Sequence, residues 1–115
     1  MNNVSNPFVS VILPFYNEKQ SFLNLSINSI LNQTYINFEL LLVNDGCIKN
    51  YNIPSDKRIK LINNTSNLGL AQSINQTIKI AKGKYIIRQD SDDISVANRI
   101  EQQVNFMENN STIDL

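Results

Sequence analysis

The sequence predicts an α/β fold in which a mostly parallel sheet carries helices on both faces. Three observations lead there. Short apolar runs closed by turn residues alternate with stretches of helical period. Their order is strand, helix, strand, strand, helix, strand, helix, and strands joined through helices run parallel. At 115 residues the chain suits one compact unit, able to bury roughly two-thirds of its unfolded surface.

Each element has its own signal. Phe8 to Leu13 (FVSVIL) is apolar and β-branched, as a strand buried on both faces should be, and Pro14 is expected to end it. From Ser21 to Gln33, Phe22, Leu23, Ile27, Ile30 and Leu31 recur at helical spacing, with Ser21 the expected N-cap. Phe38 to Val43 (FELLLV) is a second buried strand, stopped by Asn44, Asp45 and Gly46. Cys47 to Lys57 has no period and reads as loop. Arg58 to Ile62 (RIKLI) alternates, which fits a strand nearer the sheet edge. After a turn at Asn63 to Gly69, Leu70, Ala71, Ile74, Ile78 and Ala81 mark one helix face, and Gly83 stands where a helix stop belongs. Lys84 to Arg88 (KYIIR) is the fourth strand. Ala97, Ile100, Val104 and Met107 are spaced for a last amphipathic helix. Residues 1–7 read as a tail and 8–115 as a single domain.

Composition narrows the chemistry. Ten Lys and Arg balance ten Asp and Glu, so no overall field draws nucleic acid or an anionic membrane. The single Cys47 excludes an intramolecular disulfide and a Cys-cluster zinc site. The absence of histidine removes Ser-His-Asp and Cys-His triads and every His-metal site. No apolar run approaches the roughly 20 residues that span a bilayer, and a cytoplasmic, reducing setting is expected. The 19 asparagines displace charge, leaving 17% charged residues, so the N-x-S/T triplets they create carry no weight. Carboxylates, amides and hydroxyls must carry any reaction.

Ligands of open α/β sheets sit beyond the carboxyl ends of the strands. That rule selects the segments after Leu13, Val43 and Arg88. Pro14, Phe15, Tyr16, Asn17 and Glu18 follow the first strand, Asn44, Asp45 and Gly46 the second, and Gln89, Asp90, Ser91, Asp92 and Asp93 the fourth. Three aspartates within four residues repel one another. A hard divalent cation, Mg²⁺ or Mn²⁺, relieves that repulsion and usually shares its shell with phosphate. The same DSDD also suits a solvated turn. Asp45 could accept from a base or ribose, or close an Asx turn with Gly46. Tyr16 could stack on a ligand, or pack as a rim aromatic on the first helix. Asn67 and Gly69 suit a helix-entry turn. Arg88 could pair with Asp90 or Asp92, or meet phosphate. With three glycines and neither G-x-G-x-x-G nor a P-loop, a metal held by aspartates is the remaining route to phosphate.

Five segments in order carry a resemblance: VSVILPFYNE (Val9 to Glu18), SINSILNQTY (Ser26 to Tyr35), FELLLVNDG (Phe38 to Gly46), NLGLAQSIN (Asn67 to Asn75) and AKGKYIIRQDSDD (Ala81 to Asp93). Together they resemble the N-terminal, nucleotide-sugar-binding half of family 2 glycosyltransferases, which have the Rossmann-like A-type glycosyltransferase fold. The resemblance implies a truncated domain of that fold. It places Pro14, Phe15 and Tyr16 along the nucleotide base, Glu18 near the ribose and Asp45 on the base. The DSDD segment would be the family's D-x-D motif. Asp90, Ser91 and Asp92 would then face the nucleotide, and Asp92 and Asp93 would be the metal-ligand candidates, with Mg²⁺ or Mn²⁺ bridging the diphosphate. The implied reaction is inverting transfer of a sugar from a nucleoside-diphosphate sugar, most commonly a UDP-sugar, to a sugar or lipid-linked acceptor hydroxyl. Polysaccharide biosynthesis for a bacterial cell envelope is the implied setting, at the cytoplasmic face of the membrane in a full-length protein.

Two departures stand out. Asn44 replaces the first member of an acidic pair that the family often carries. The general base and the acceptor half are expected beyond Leu115, so this chain alone is expected to be inactive, with possible self-association through the face that truncation leaves exposed. Two other classes remain open, a non-catalytic nucleotide-binding or interaction module and an aspartate-based phosphoryl-transfer domain. The latter needs a lysine near a later strand end, and no lysine follows DSDD.

Overall fold

Four parallel strands form one sheet in the computed structural model, which describes residues 6–110. Residues 1–5 of the expected tail and 111–115 of the expected domain lie outside the described residues. The elements are β1 (Val9–Phe15), α1 (Gln20–Leu31), β2 (Phe38–Asn44), β3 (Ile59–Asn63), α2 (Leu70–Ile78), β4 (Tyr85–Arg88) and α3 (Arg99–Asn109). The sheet order is β3-β2-β1-β4, so β1 and β2 are central and β3 is an edge, as its alternating sequence predicts. Val9 pairs with Phe38 and with Tyr85, and Leu40 with Ile59.

The pleat divides the central strands between two cores. Val9, Val11, Leu13 and Phe15 face α1 and α3, meeting Leu23, Ile27, Ile30, Ile100 and Val104. Ile12, Leu41 and Val43 face the other side, where Ile74 of α2 and Ala81 cover them. Burial on both faces explains the unbroken apolar runs of β1 and β2. The connection from β2 to β3 has no helix. Tyr51 and Ile53 from that loop pack on the α1 side in its place, and the Tyr51 hydroxyl donates to the Glu18 carbonyl at 2.7 Å.

Several expected boundaries move, each for a local reason. Pro14 does not end β1; the strand runs on to Phe15 with Pro14 opposite Val43. Strand β4 stops at Arg88, opposite Ile12. Alternation turns the Pro14 nitrogen toward the side β4 no longer occupies, so the missing N–H forfeits no ladder bond. Lys19, not Ser21, is the N-cap of α1, and no side chain caps it. Helix α2 ends at Ile78, five residues short of Gly83. Gly83 instead marks a close approach: a Cβ there would lie 2.4 Å from the Ser10 nitrogen. The buried side chains of α2 are Ser73 and Thr77, whereas Leu70 and Ile78 of its expected apolar face are exposed. A carboxylate described below draws Ser73 inward. In α3, Ile100 and Val104 are buried as expected, but Ala97 precedes the helix.

A buried polar clamp joins the sheet to the α2–β4 connection. Glu39, 2% exposed, accepts from Ser10 Oγ at 2.6 Å, Lys60 Nζ at 3.1 Å and the Lys82 N–H at 2.8 Å. The Ser10 oxygen accepts in turn from the Gly83 N–H at 2.8 Å. Burial pushes the Glu39 carboxyl up, but these donors outweigh it and hold it below its ordinary value. Among the described residues no helix is long and apolar enough to cross a membrane.

Candidate functional site

Because β1, β2 and β4 are neighbours and parallel, the three polar segments that follow them lie along one edge of the sheet. They frame an open cleft of about 600 Å³, lined by Pro14, Phe15, Tyr16, Glu18, Asp45, Asp90, Ser91 and Asp92, together with Asn67, Gly69, Leu70 and Arg88. Asp93 does not line this cleft, but it joins Asp90 and Asp92 in a group whose carboxylate oxygens all lie within 4.8 Å of one another.

The loop after β4 is built from inside. Gln89 is fully buried, and its amide makes four contacts. Nε2 donates to Ser26 Oγ at 3.0 Å and to the Asp93 carbonyl at 2.7 Å; Oε1 accepts from Ser95 Oγ and from Arg99 Nη1, each at 2.6 Å. Ser26 of α1 donates to the Asp90 carbonyl at 3.0 Å, and the Asp93 N–H closes the turn onto the same carbonyl. The main chain of the aspartate loop is therefore tied to α1 and α3 while its three carboxylates converge on its outer side. Sequence reading missed this scaffold. A glutamine and two serines within apolar periodicity, Ser26 next to Ile27 above all, are the signal that could have found it.

Glu18 links two of the three segments. Its Oε2 accepts from the Tyr16 N–H at 2.6 Å and its Oε1 from Ser91 Oγ at 2.8 Å. Between Tyr16 and Glu18, Asn17 turns the chain with φ 62°, a left-handed value Asn tolerates better than most residues.

Asp45 is 5% exposed and sits at the start of α2. Its Oδ1 accepts from the Leu68 N–H at 2.8 Å, Ser73 Oγ at 2.9 Å and Asn64 Nδ2 at 3.0 Å, and its Oδ2 from the Gly69 N–H at 3.0 Å. Burial pushes this carboxyl up. The Leu68, Asn64, Ser73 and Gly69 donors prevail and hold it below its ordinary value. Asp45 thus organises the 64–69 turn and the helix entry, as well as lining the cleft. Asn44 is committed to its own turn, donating to the Cys47 carbonyl and accepting from the Cys47 N–H. That use of its amide competes with any role on a base.

Phe15 and Tyr16 reach the cleft differently. Phe15 lines it, but its side chain is 3% exposed and packs edge-on against Tyr51, 5.0 Å between ring centroids, because β1 continues and turns it into the core. Tyr16, 48% exposed, is the ring left free on the rim.

An all-parallel α/β sheet with carboxylates gathered beyond its strand ends defines a class of ligand-binding domain. Comparison places the chain within that class: residues 10–114 match glycosyl transferase family 2, and the chain belongs to that family. It is 42% identical over 123 residues to an uncharacterized glycosyltransferase of Methanocaldococcus jannaschii, covering 100% of this chain and 42% of that protein. It is 41% identical over 107 residues to the UDP-Glc:alpha-D-GlcNAc-diphosphoundecaprenol beta-1,3-glucosyltransferase WfgD of Escherichia coli, covering 90% and 42% respectively. The chain thus spans less than half the length of these relatives. Among solved structures, the mannosyltransferase PcManGT from Pyrobaculum calidifontis, in complex with GDP-Man and Mn²⁺, shares the fold with a TM-score of 0.76 at 20% identity, over 90% of this chain and 33% of that one. S. aureus TarS in complex with UDP-GlcNAc gives 0.75 at 22% identity, over 90% and 32%.

Proposed function

We propose that the cleft binds the nucleoside diphosphate of a sugar donor, and that the chain is the donor-binding part of an inverting glycosyltransferase. The observation that carries this reading is the convergence of Asp90, Asp92 and Asp93, oxygens within 4.8 Å, beside a cleft at the ends of three adjacent parallel strands. Relatives and fold neighbours support it: WfgD is named for a UDP-glucose donor, and TarS and PcManGT are in complex with nucleotide sugars.

The donor set fits a divalent cation. Three carboxylates of one loop are hard oxygen ligands of the kind Mg²⁺ and Mn²⁺ take, and a loop tied from behind by Gln89 and Ser26 presents them without further folding. Asp92 and Asp93 are the proposed ligands. A bound cation would offset the negative charge of the diphosphate leaving group. Tyr16 supplies the ring on which a base would stack, and Pro14 the floor beside it. Asp45 keeps the base end of the cleft in shape and offers Oδ2, which among the described residues accepts the Gly69 N–H alone. Glu18, with both oxygens engaged, holds the Tyr16 and Ser91 loops in register, a positioning role alongside its expected place near the ribose.

Titration of the chain with UDP, with and without Mn²⁺, tests this reading. Binding that needs Mn²⁺ and weakens at least tenfold in Asp93→Ala is expected. A folded chain that ignores UDP under both conditions would point to a non-catalytic module.

A further inference from the structure

Resting on the donor-site reading, we infer that Arg88 is a diphosphate-binding side chain that Asp90 holds in reserve. Arg88 closes β4, opposite Ile12. Its main chain is fixed, because Arg99 Nη2 donates to its carbonyl at 2.8 Å. Its side chain is half exposed and among the described residues bonds to Asp90 alone, with Nε and Nη2 both 2.9 Å from the same oxygen, Oδ1. Nη1 makes no hydrogen bond among the described residues.

Three features make that pairing a resting state. First, Arg88 is the only cationic residue among those lining the cleft, which also holds Glu18, Asp45, Asp90 and Asp92. A diphosphate entering so acidic a space needs positive charge, and a guanidinium fork suits phosphate oxygens. Second, an ion pair this exposed contributes little to stability, so parting it costs little. Third, Asp90 belongs to the convergent carboxylate group. A cation held by Asp92 and Asp93 would also attract the neighbouring Asp90 carboxylate, so Arg88 and the cation compete for it, and the guanidinium is freed as that carboxylate turns toward the cation. Metal and diphosphate binding are thereby linked through one side chain.

The Arg88→Gln variant separates this role from a structural one, with calorimetry reading the titrations that contain Mn²⁺ and amide chemical shifts reading uridine even at millimolar affinity. Three probes are titrated into wild type and variant: UDP with Mn²⁺, uridine, and Mn²⁺ alone. Affinity for UDP should fall roughly ten- to a hundredfold, the size of a charged hydrogen bond. Uridine, which has no phosphate, should bind both proteins equally. Mn²⁺ alone should bind the variant a few-fold more tightly, because its competitor has gone. Unchanged UDP affinity overturns the inference, as does a parallel loss of UDP and uridine, or a loss of Mn²⁺ affinity. A folded wild type that binds neither UDP nor uridine overturns the donor-site reading itself and this inference with it.

Discussion

Asp45 shows how one residue serves stability and site together. Its carboxylate fastens the 64–69 turn to the end of β2, and it stays charged because four donors outweigh its burial. A carboxyl held below its unfolded pKa of about 4 contributes fully above that pH, and the contribution drains away as pH falls through the folded value. Urea denaturation at pH 7 should find Asp45→Asn less stable by on the order of 2 kcal/mol. Below about pH 4 the gap to wild type should shrink. An equal gap at both pH values would mean that charge on Asp45 contributes nothing. The residue itself was legible as a strand-end acid. Its partners were not: Asn64 and Ser73 lie 19 and 28 residues away, and nothing in sequence spacing pairs them with it.

At the scale of elements, turns decide where the site segments point. Gly46 and Gly69 both have positive φ, 83° and 87°, yet they meet different surroundings. A Cβ on Gly46 would lie 2.3 Å from the Ser66 carbonyl carbon, whereas nothing stands within 4 Å of one on Gly69. Gly69→Ala should therefore cost only backbone strain, about 1–3 kcal/mol. Gly46→Ala adds a clash of main chain with main chain and should cost more, about 3–5 kcal/mol. Thermal denaturation of the two variants checks the order, and equal losses would show that the 64–69 turn yields easily. Helix boundaries were the least legible feature here. None of the N-cap residues Lys19, Gly69 and Asn98 caps its helix with its own side chain, so the usual local N-terminal signal was absent and Ser21 misled.

Among the described residues both β3 and β4 are open edges of the sheet, and the β4 edge is the one beside exposed apolar surface. Strand β4 pairs with β1 alone there, and beside it a groove of about 520 Å³ runs along α3, flanked by Ile86 and Phe106, 42% and 50% exposed. An unpaired edge next to exposed apolar surface is a template for another strand or chain. Sedimentation velocity should show the chain associating as its concentration rises, and Ile86→Lys should weaken that association several-fold. Sedimentation independent of concentration would show that the edge protects itself.

The sequence by itself determined the α/β class, the four strands, and the three segments that flank the cleft. Those depend on local composition, and parallel strands joined by crossovers carry their carboxyl ends to one edge whatever the details. Tertiary structure decided the rest. It turned Phe15 into the core and left Tyr16 on the rim, because β1 outran its proline beside a shorter neighbour. It buried Ser73 and Thr77 of α2 while leaving Leu70 and Ile78 exposed, and set Gln89 and Ser26 behind the aspartates. Those outcomes depend on strand register, on packing and on hydrogen bonds such as Ser73 to Asp45 and Gln89 to Ser26 between segments far apart in the chain, and such partners meet only when the sheet brings them together.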